Sequence, residues 1–159
     1  MGTEPGRSAP GSVSASPTGS GAPPAVVPVA ARAHTDAGAE AFVRFYIDQL
    51  NLAWTGPRTG LLPPLSDPGC KSCAAFERTA RGLVSAGRRY STIPVSITSV
   101  NAYGGARPGR QLLRLRGHQN RVTVVDRAGA TVEVDREKDL KLDVLLKWGE
   151  RSWVVVDLG

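Results

Sequence analysis

Cysteine, histidine and aromatic residues are scarce in this 159-residue chain. It has two cysteines, two histidines and three each of tryptophan, tyrosine and phenylalanine. A structural zinc site needs four ligands, and the only soft candidates besides the cysteine pair are His34 and His118, so we expect no metal site and no cofactor. No run of 18 apolar residues occurs, so no helix is expected to span a membrane.

Sequence motifs for catalysis are missing as well. The chain has no Gly-x-Ser-x-Gly nucleophile elbow, no phosphate-binding loop ending in Lys-Ser or Lys-Thr, and no His-Glu-x-x-His zinc motif. The glycine-rich stretch 104–109 lacks the lysine of a phosphate site and is interpreted as a loop. The sequence therefore names no catalytic residue, and a role without catalysis is favoured over an enzymatic one.

The first 34 residues differ in composition from the rest of the chain. They are rich in Gly, Ser, Pro and Ala, contain no aromatic residue, and carry three charges, on Glu4, Arg7 and Arg32. Such a segment buries too little apolar surface to offset the entropy lost on ordering. The prediction is a disordered linker over residues 1–34, with a reach of roughly 30–35 Å, followed by one domain over residues 35–159.

The net charge of +6 allows two interpretations. One is attraction to an anionic partner such as a nucleic acid, a bilayer or an acidic wall polymer. The other is the arginine-rich composition of a high-GC genome, since arginine far outnumbers lysine. No dense basic run or RNA-binding signature accompanies the charge, so no nucleic-acid partner is expected, although a basic nucleic-acid-binding domain stays open as an alternative.

Two helices are predicted before residue 90. The first begins at Thr35 or Asp36, either of which can cap a helix, and ends at Gly56. Its apolar residues recur at three- and four-residue steps: Ala39, Phe42, Val43, Tyr46, Ile47, Leu50, Ala53 and Trp54. The second helix follows Asp67-Pro68-Gly69-Cys70 and runs to about Arg88, with Gly87 as a candidate end.

Alternation with period two dominates from residue 90 to the end of the chain. No helical segment separates the apolar runs, which predicts an antiparallel, meandering sheet with one apolar face. The fold class is therefore α+β, with N-terminal helices packed on a curved antiparallel sheet of about four strands.

Three stretches resemble a family of actinobacterial lipoproteins of unknown function: DAGAEAFVRFYIDQLNLAWTG, LLPPLSDPGCKSC and KWGERSWVVVDL. The resemblance covers residues 35–159 and implies the cone-shaped, cystatin-like fold typified by nuclear transport factor two, ketosteroid isomerase and polyketide cyclases. Members of that family carry a signal peptide and a lipidated cysteine ahead of the tether, and neither stands ahead of the linker here. The resemblance implies a cell-envelope protein, lipid-anchored or secreted, if an upstream signal exists, and otherwise a cytoplasmic one.

The single cysteine pair, Cys70 and Cys73, has three interpretations. A structural disulfide in an oxidising compartment is favoured, because it would fix the start of the second helix. A redox role is the first alternative, since a helix N-terminus stabilises a thiolate. A metal site is the least favoured, for want of further ligands.

Five aromatic residues could line a cavity for a small apolar ligand, with a filled core as the alternative: Phe42, Tyr46, Trp54, Trp148 and Trp153. Enzymes of the cone fold place an acid–base pair in such a cavity. Candidates are Tyr46, His118 and Asp126, although Tyr46 lies in an apolar stripe, His118 in a polar bend, and Asp126 before a turn.

The function predicted from the sequence is a non-catalytic, cell-envelope-associated accessory or binding domain of unknown ligand, held on a flexible tether. The first alternative is a cone-fold isomerase or cyclase that acts on a small apolar ligand. Expected partners are that ligand or an envelope component, and pairing of two copies through the sheet. Contact with a membrane is expected only through an anchor absent from this sequence.

Overall fold

The computed structural model of the protein describes residues 25–103 and 108–159. Residues 1–24 of the predicted linker (1–34) lie outside the described residues, and so do residues 104–107 of the glycine-rich loop. Within these described residues, two α-helices precede seven strands: α1 (Asp36–Thr55), α2 (Lys71–Ala86), β1 (Arg89–Tyr90), β2 (Val95–Tyr103), β3 (Arg110–Gln119), β4 (Val122–Val125), β5 (Thr131–Asp135), β6 (Lys138–Trp148) and β7 (Trp153–Leu158). Short 3₁₀ turns lie at Val29–Arg32 and Pro63–Leu65.

Helix α1 begins where the capping signal predicts. The Thr35 hydroxyl accepts a hydrogen bond from the Gly38 amide at 3.0 Å, and Asp36 lies in the first turn near the positive end of the helix dipole. Gly38 allows a close crossing, because a Cβ there would lie 2.0 Å from the carbonyl oxygen of Ala33. The helix therefore starts tightly packed on the segment that precedes it.

Helix α2 begins at the cysteine pair and ends at a glycine. Cys70 is the N-cap residue, and its Sγ accepts from the Cys73 amide at 3.2 Å. Gly87 ends the helix in the left-handed conformation, φ 63°, which glycine adopts without steric cost. The helix thus ends at the glycine that the sequence offers as a candidate end, just before the approximate limit at Arg88.

All strand pairs within the two sheets are antiparallel. The larger sheet has the order β2-β3-β6-β7, and its inner face meets α1. The predicted α+β class, with two helices packed on an antiparallel arrangement of strands, is confirmed. The single continuous meander is not: β4 and β5 leave the larger sheet and form a second one with β1.

The departure of β4 and β5 has a packing reason. Val122 and Val124 bury their side chains against Leu83 of α2 and Tyr90 of β1, with Trp54 at the edge of the cluster. The small sheet thereby covers one end of the helix pair, a surface that the four-stranded sheet does not reach. The period-two pattern predicts each strand but carries no information on which sheet it joins.

The ordered domain begins before residue 35. Ala31 is completely buried in the main core, and the Trp153 indole N–H donates to the carbonyl oxygen of Ala33 at 3.0 Å. The His34 ring stacks on Trp148 at a centroid distance of 4.4 Å. Residues 31–34 therefore pack against the rest of the domain, within the stretch for which composition predicts a linker.

In the described parts of the chain, no helix is long and apolar enough to cross a bilayer.

Candidate functional site

A groove of about 400 Å³ lies between the 63–68 segment and the outer face of α2. Its volume is in the range of small-molecule sites. The residues that give it chemical character are Ser66, Asp67, Cys73, Glu77, Arg78 and Arg81.

Helix α2 supplies one side of the groove through its periodicity. Cys73, Glu77 and Arg81 recur every four residues and therefore lie along one face of the helix. The Sγ atoms of Cys70 and Cys73 are bonded, 2.06 Å apart, at the N-terminal end of that face. The groove thus runs from the disulfide past one carboxylate to an exposed arginine.

Glu77 is a buried carboxylate in the wall of the groove. The residue is 5% exposed, and its Oε1 accepts a hydrogen bond from the Gly60 amide at 2.7 Å. The Arg81 Nε lies 4.0 Å from the same oxygen, on a side chain that is 67% exposed. The Oε2 atom has no hydrogen-bond partner among the described residues. One carboxylate oxygen is thus held by the fold and the other is unpaired.

Tyr46 of α1 lies near Glu77, inside the core. The residue is 1% exposed, and its hydroxyl has no hydrogen-bond partner among the described residues. Burial raises the pKa of Tyr46 to about 12; the nearby Ser66 hydroxyl opposes this shift and the Glu77 charge adds to it. Tyr46 is consequently a neutral phenol at physiological pH and a poor general base.

An ion pair closes one end of the groove. The Lys147 ammonium of β6 donates to Asp67 Oδ2, and the Gly69 amide donates to Asp67 Oδ1 at 2.9 Å. These donors, Lys147 first, hold the pKa of Asp67 below its ordinary value of 3.8. Asp67 therefore stays ionised, and Lys147 balances its charge. Arg78 and Arg81 remain as the excess positive charge along the groove.

The structure places the five predicted cavity residues in three environments. Phe42 and Tyr46 are packed inside the main core. Trp148 and Trp153 contact each other and His34 at the start of the domain. Trp54 contacts Phe76 and Tyr90 near the small sheet. Phe42 and Tyr46 are 0% and 1% exposed, so neither faces a space large enough for a water molecule.

The other two acid–base candidates lie in local interactions of their own. The His118 Nδ1 is 2.7 Å from Asp139 Oδ1 on the exposed face of the large sheet. Asp126 accepts from the amides of Ala128 and Ala130, as its position before a turn predicts. Within the described residues, no cluster of three or more His, Cys, Asp or Glu side chains could hold a metal ion.

Sequence reasoning missed Glu77. A glutamate on the polar side of an amphipathic helix is normally solvated, and nothing nearby in the sequence marks this one as buried. Its burial depends on the 57–66 segment, which folds back so that the Gly60 amide reaches the carboxylate. The one local signal is its four-residue spacing from Cys73, which places the two side chains on the same face of the helix. That spacing predicts a site only once the groove along this face is known.

Comparison with solved structures supports the fold. The intermembrane space region of chloroplast protein ARC6 superposes with a TM-score of 0.60 over 80% of this chain and 96% of its own, at 14% identity. A designed protein, a multiply substituted form of Rd1NTF2_05, aligns loosely, with a TM-score of 0.39, 17% identity, and coverage of 73% of this chain and 93% of its own. At such identities the ARC6 likeness speaks to the fold alone.

Comparison by sequence gives a family and no curated relative. No protein with a curated description matches the chain. A family of unknown function, DUF6318, matches residues 15–159, which is most of the chain and includes the whole folded domain. This protein belongs to the DUF6318 family.

Proposed function

We propose that the protein is a non-catalytic accessory domain of the cell envelope, which works outside the cytoplasm and binds an envelope component. The observation that carries the proposal is the disulfide between Cys70 and Cys73 at the start of α2. Disulfides persist in oxidising compartments and are rare in the cytosol of most organisms.

Two further features support this compartment. The resemblance to actinobacterial lipoproteins extends the proposal to a secreted or lipid-anchored protein. The composition of residues 1–24, dominated by Gly, Ser, Pro and Ala, suits a tether ahead of the domain.

The surroundings of Tyr46 support a role without catalysis. The phenol, with a pKa of about 12, is buried in the core instead of facing the groove. An enzymatic role is the second candidate, and it is favoured by one observation: the Glu77 carboxylate is close enough to raise the pKa of Tyr46. An acid–base pair would require both groups to reach a substrate.

One arginine on the exposed sheet face is not free to bind a nucleic-acid phosphate. Arg114 pairs with Asp143 at 3.0 Å in the middle of that face. Phosphate binding needs basic side chains that are free of such partners. DNA or RNA affinity that falls steeply with salt would revive the nucleic-acid alternative.

Labelling of intact cells tests the proposed compartment. A membrane-impermeant amine reagent is added to cells that produce the protein from its own gene, and modification of Lys71 and Lys138, both exposed, is followed by mass spectrometry. We expect both lysines to be labelled as fully as in lysed cells. A cytoplasmic protein in the same sample serves as the control. Protection of both lysines until lysis would contradict the proposal.

A further inference from the structure

We propose that the groove beside α2 binds a hydroxylated carboxylic acid, that is, a sugar acid. The inference rests on the proposed function, since it names the class of envelope component that the domain would bind. It starts from Glu77, whose Oε2 is an unpaired acceptor while Oε1 is fixed by the Gly60 amide.

An unpaired buried carboxylate oxygen is costly to the fold. A charged acceptor without a donor loses its hydration and gains nothing in return, a penalty larger than that of a neutral group. Burial of Glu77 is therefore better explained by an external donor than by packing. Such a donor comes from a ligand hydroxyl or ammonium group.

The charges around the groove decide between those two donors. Arg78 and Arg81 line the groove, whereas the negative charge of Asp67 is matched by Lys147. Against two arginines stands the single carboxylate of Glu77, so the net local charge is positive. A positive site repels an ammonium and attracts an anion, which favours a hydroxyl donor on a molecule that also carries a carboxylate.

Access to Oε2 requires the movement of a surface side chain. The Arg81 Nε lies 4.0 Å from Oε1, and the Arg81 side chain is 67% exposed. A contact this long and this exposed is weak, so the guanidinium can turn from Glu77 to a ligand carboxylate at little cost. Because Oε2 itself is buried, the inference requires that this movement also opens a path from the groove to Oε2.

The proposed arrangement thus has two points of recognition. A hydroxyl of the ligand donates to Glu77 Oε2, and its carboxylate pairs with Arg78 and Arg81. The prolines of the 63–68 segment and the disulfide provide an apolar floor for the sugar ring.

Titration of the full chain with D-glucuronate, followed through backbone amide NMR shifts, tests the inference. We expect a Kd of about 1 mM or tighter, with shifts centred on residues 74–81. Glucose has the hydroxyls without the acid and acetate has the acid without hydroxyls, so each should bind at least about tenfold weaker, a loss of about 1.4 kcal/mol. Equal affinity for acetate, or no binding of glucuronate, would overturn the inference.

Glu77→Gln is the decisive variant. It preserves the acceptor for the Gly60 amide and replaces Oε2 with an amide donor, so glucuronate affinity should fall at least about tenfold while the fold is kept. Asp48→Asn, an exposed change on α1, is the matched control and should bind as the parent does. Unchanged affinity in Glu77→Gln, with native NMR shifts elsewhere, would show that Oε2 takes no part.

Two sources of the acid are distinguished by the methyl glycoside of glucuronate. If the methyl glycoside binds as tightly as free glucuronate, the natural ligand is the end of a sugar-acid polymer. If the methyl glycoside does not bind, the natural ligand is the free sugar acid. Either result supports the site. This result is separable from the proposed compartment. If the protein lies outside the cytoplasm but does not bind glucuronate, only the groove inference is overturned. If it lies in the cytoplasm and binds glucuronate through Glu77, only the proposed compartment is overturned.

Discussion

Two buried tyrosines show how one hydroxyl can weaken or strengthen the same fold. Tyr46 has an unpaired hydroxyl in the core, whereas the Tyr90 hydroxyl donates to Asp135 at 2.8 Å. Burial, with that hydrogen bond and the nearby acidic charges, raises the pKa of Tyr90. Both phenols are neutral at physiological pH, and their hydroxyls differ in whether they have a hydrogen-bond partner.

Tyr46→Phe should therefore stabilise the protein. The change removes a buried donor without a partner and keeps the ring, so we expect a gain of about 1 kcal/mol in the free energy of unfolding. Tyr90→Phe is the matched control and should lose about 1 kcal/mol because it removes a satisfied bond. Urea unfolding of both variants measures the difference. Destabilisation by Tyr46→Phe as large as that of the control would mean that the Tyr46 hydroxyl is bonded in solution.

Low pH should destabilise the folded protein by protonating Asp67. Its pKa is lower in the folded than in the unfolded state, because Lys147 and the Gly69 amide donate to the ionised form. The stabilisation is present above the ordinary pKa of 3.8 and is lost as pH falls through the lower, folded value. Asp67→Asn should thus be less stable than the parent near neutral pH, and the gap should close in strong acid.

Unfolding curves at a series of pH values test this prediction. Asp48→Asn again serves as the control, since Asp48 is exposed on α1. A gap between Asp67→Asn and the parent that is constant from neutral pH to acid would contradict the predicted linkage.

Helix α2 is the element on which the site depends, because it carries the disulfide, Glu77 and both arginines of the groove. Its N-terminus is fixed by the Cys70–Cys73 bond, and its C-terminus by Gly87 in the left-handed conformation. Reduction would remove this crosslink from the first turn of the helix. The four-residue loop that the bond closes is short, so its entropic effect is modest.

Cys70→Ser with Cys73→Ser should cost about 2 kcal/mol of stability. Serine is a good N-cap, so the double variant tests the crosslink more than the cap. Thermal unfolding with and without reductant measures the effect. Reductant should lower the stability of the parent and leave that of the double variant unchanged. An unfolding temperature of the parent that reductant does not change would contradict a stabilising role of the disulfide.

Elements were predictable from the sequence where a local signal determines them. The α1 cap at Thr35 and the α2 start at Cys70 depend on neighbouring residues, and the pattern of alternation depends on which face of a strand is buried. The assignment of β4 and β5 to a second sheet depends on Leu83 and Trp54, which are distant in sequence. Burial of Glu77 depends on Gly60, seventeen residues earlier, for the same reason.

At the scale of the whole molecule, residues 31–34 pack against the core and the C-terminal hairpin of the domain. Ala31 fills the core, Ala33 accepts from the Trp153 indole, and His34 stacks on Trp148. These contacts join the chain before α1 to the last hairpin, β6-β7. Composition predicts a linker here, because residues 1–34 are rich in Gly, Ser, Pro and Ala and hold no Phe, Trp or Tyr, and composition does not show which small residues are buried.

Removal of residues 1–34 should therefore destabilise the domain, whereas removal of residues 1–24 should not. Loss of the indole hydrogen bond, the ring stack and the buried alanine together should cost about 2–3 kcal/mol. For a domain of this size that corresponds to a fall of about 5–10 °C in Tm. Calorimetry of the two shortened chains beside the full one is the measurement. Equal Tm values for all three would place the boundary at residue 35 after all.

The location of the domain outside the cytoplasm is the central claim, and the redox state of Cys70 and Cys73 in cells tests it most directly. Cells that produce the protein from its own gene are quenched in acid, alkylated, reduced and alkylated again with a second reagent. We expect both cysteines to carry only the second reagent, as members of a disulfide do. Cysteines that carry the first reagent would be free thiols in the cell and would contradict the claim.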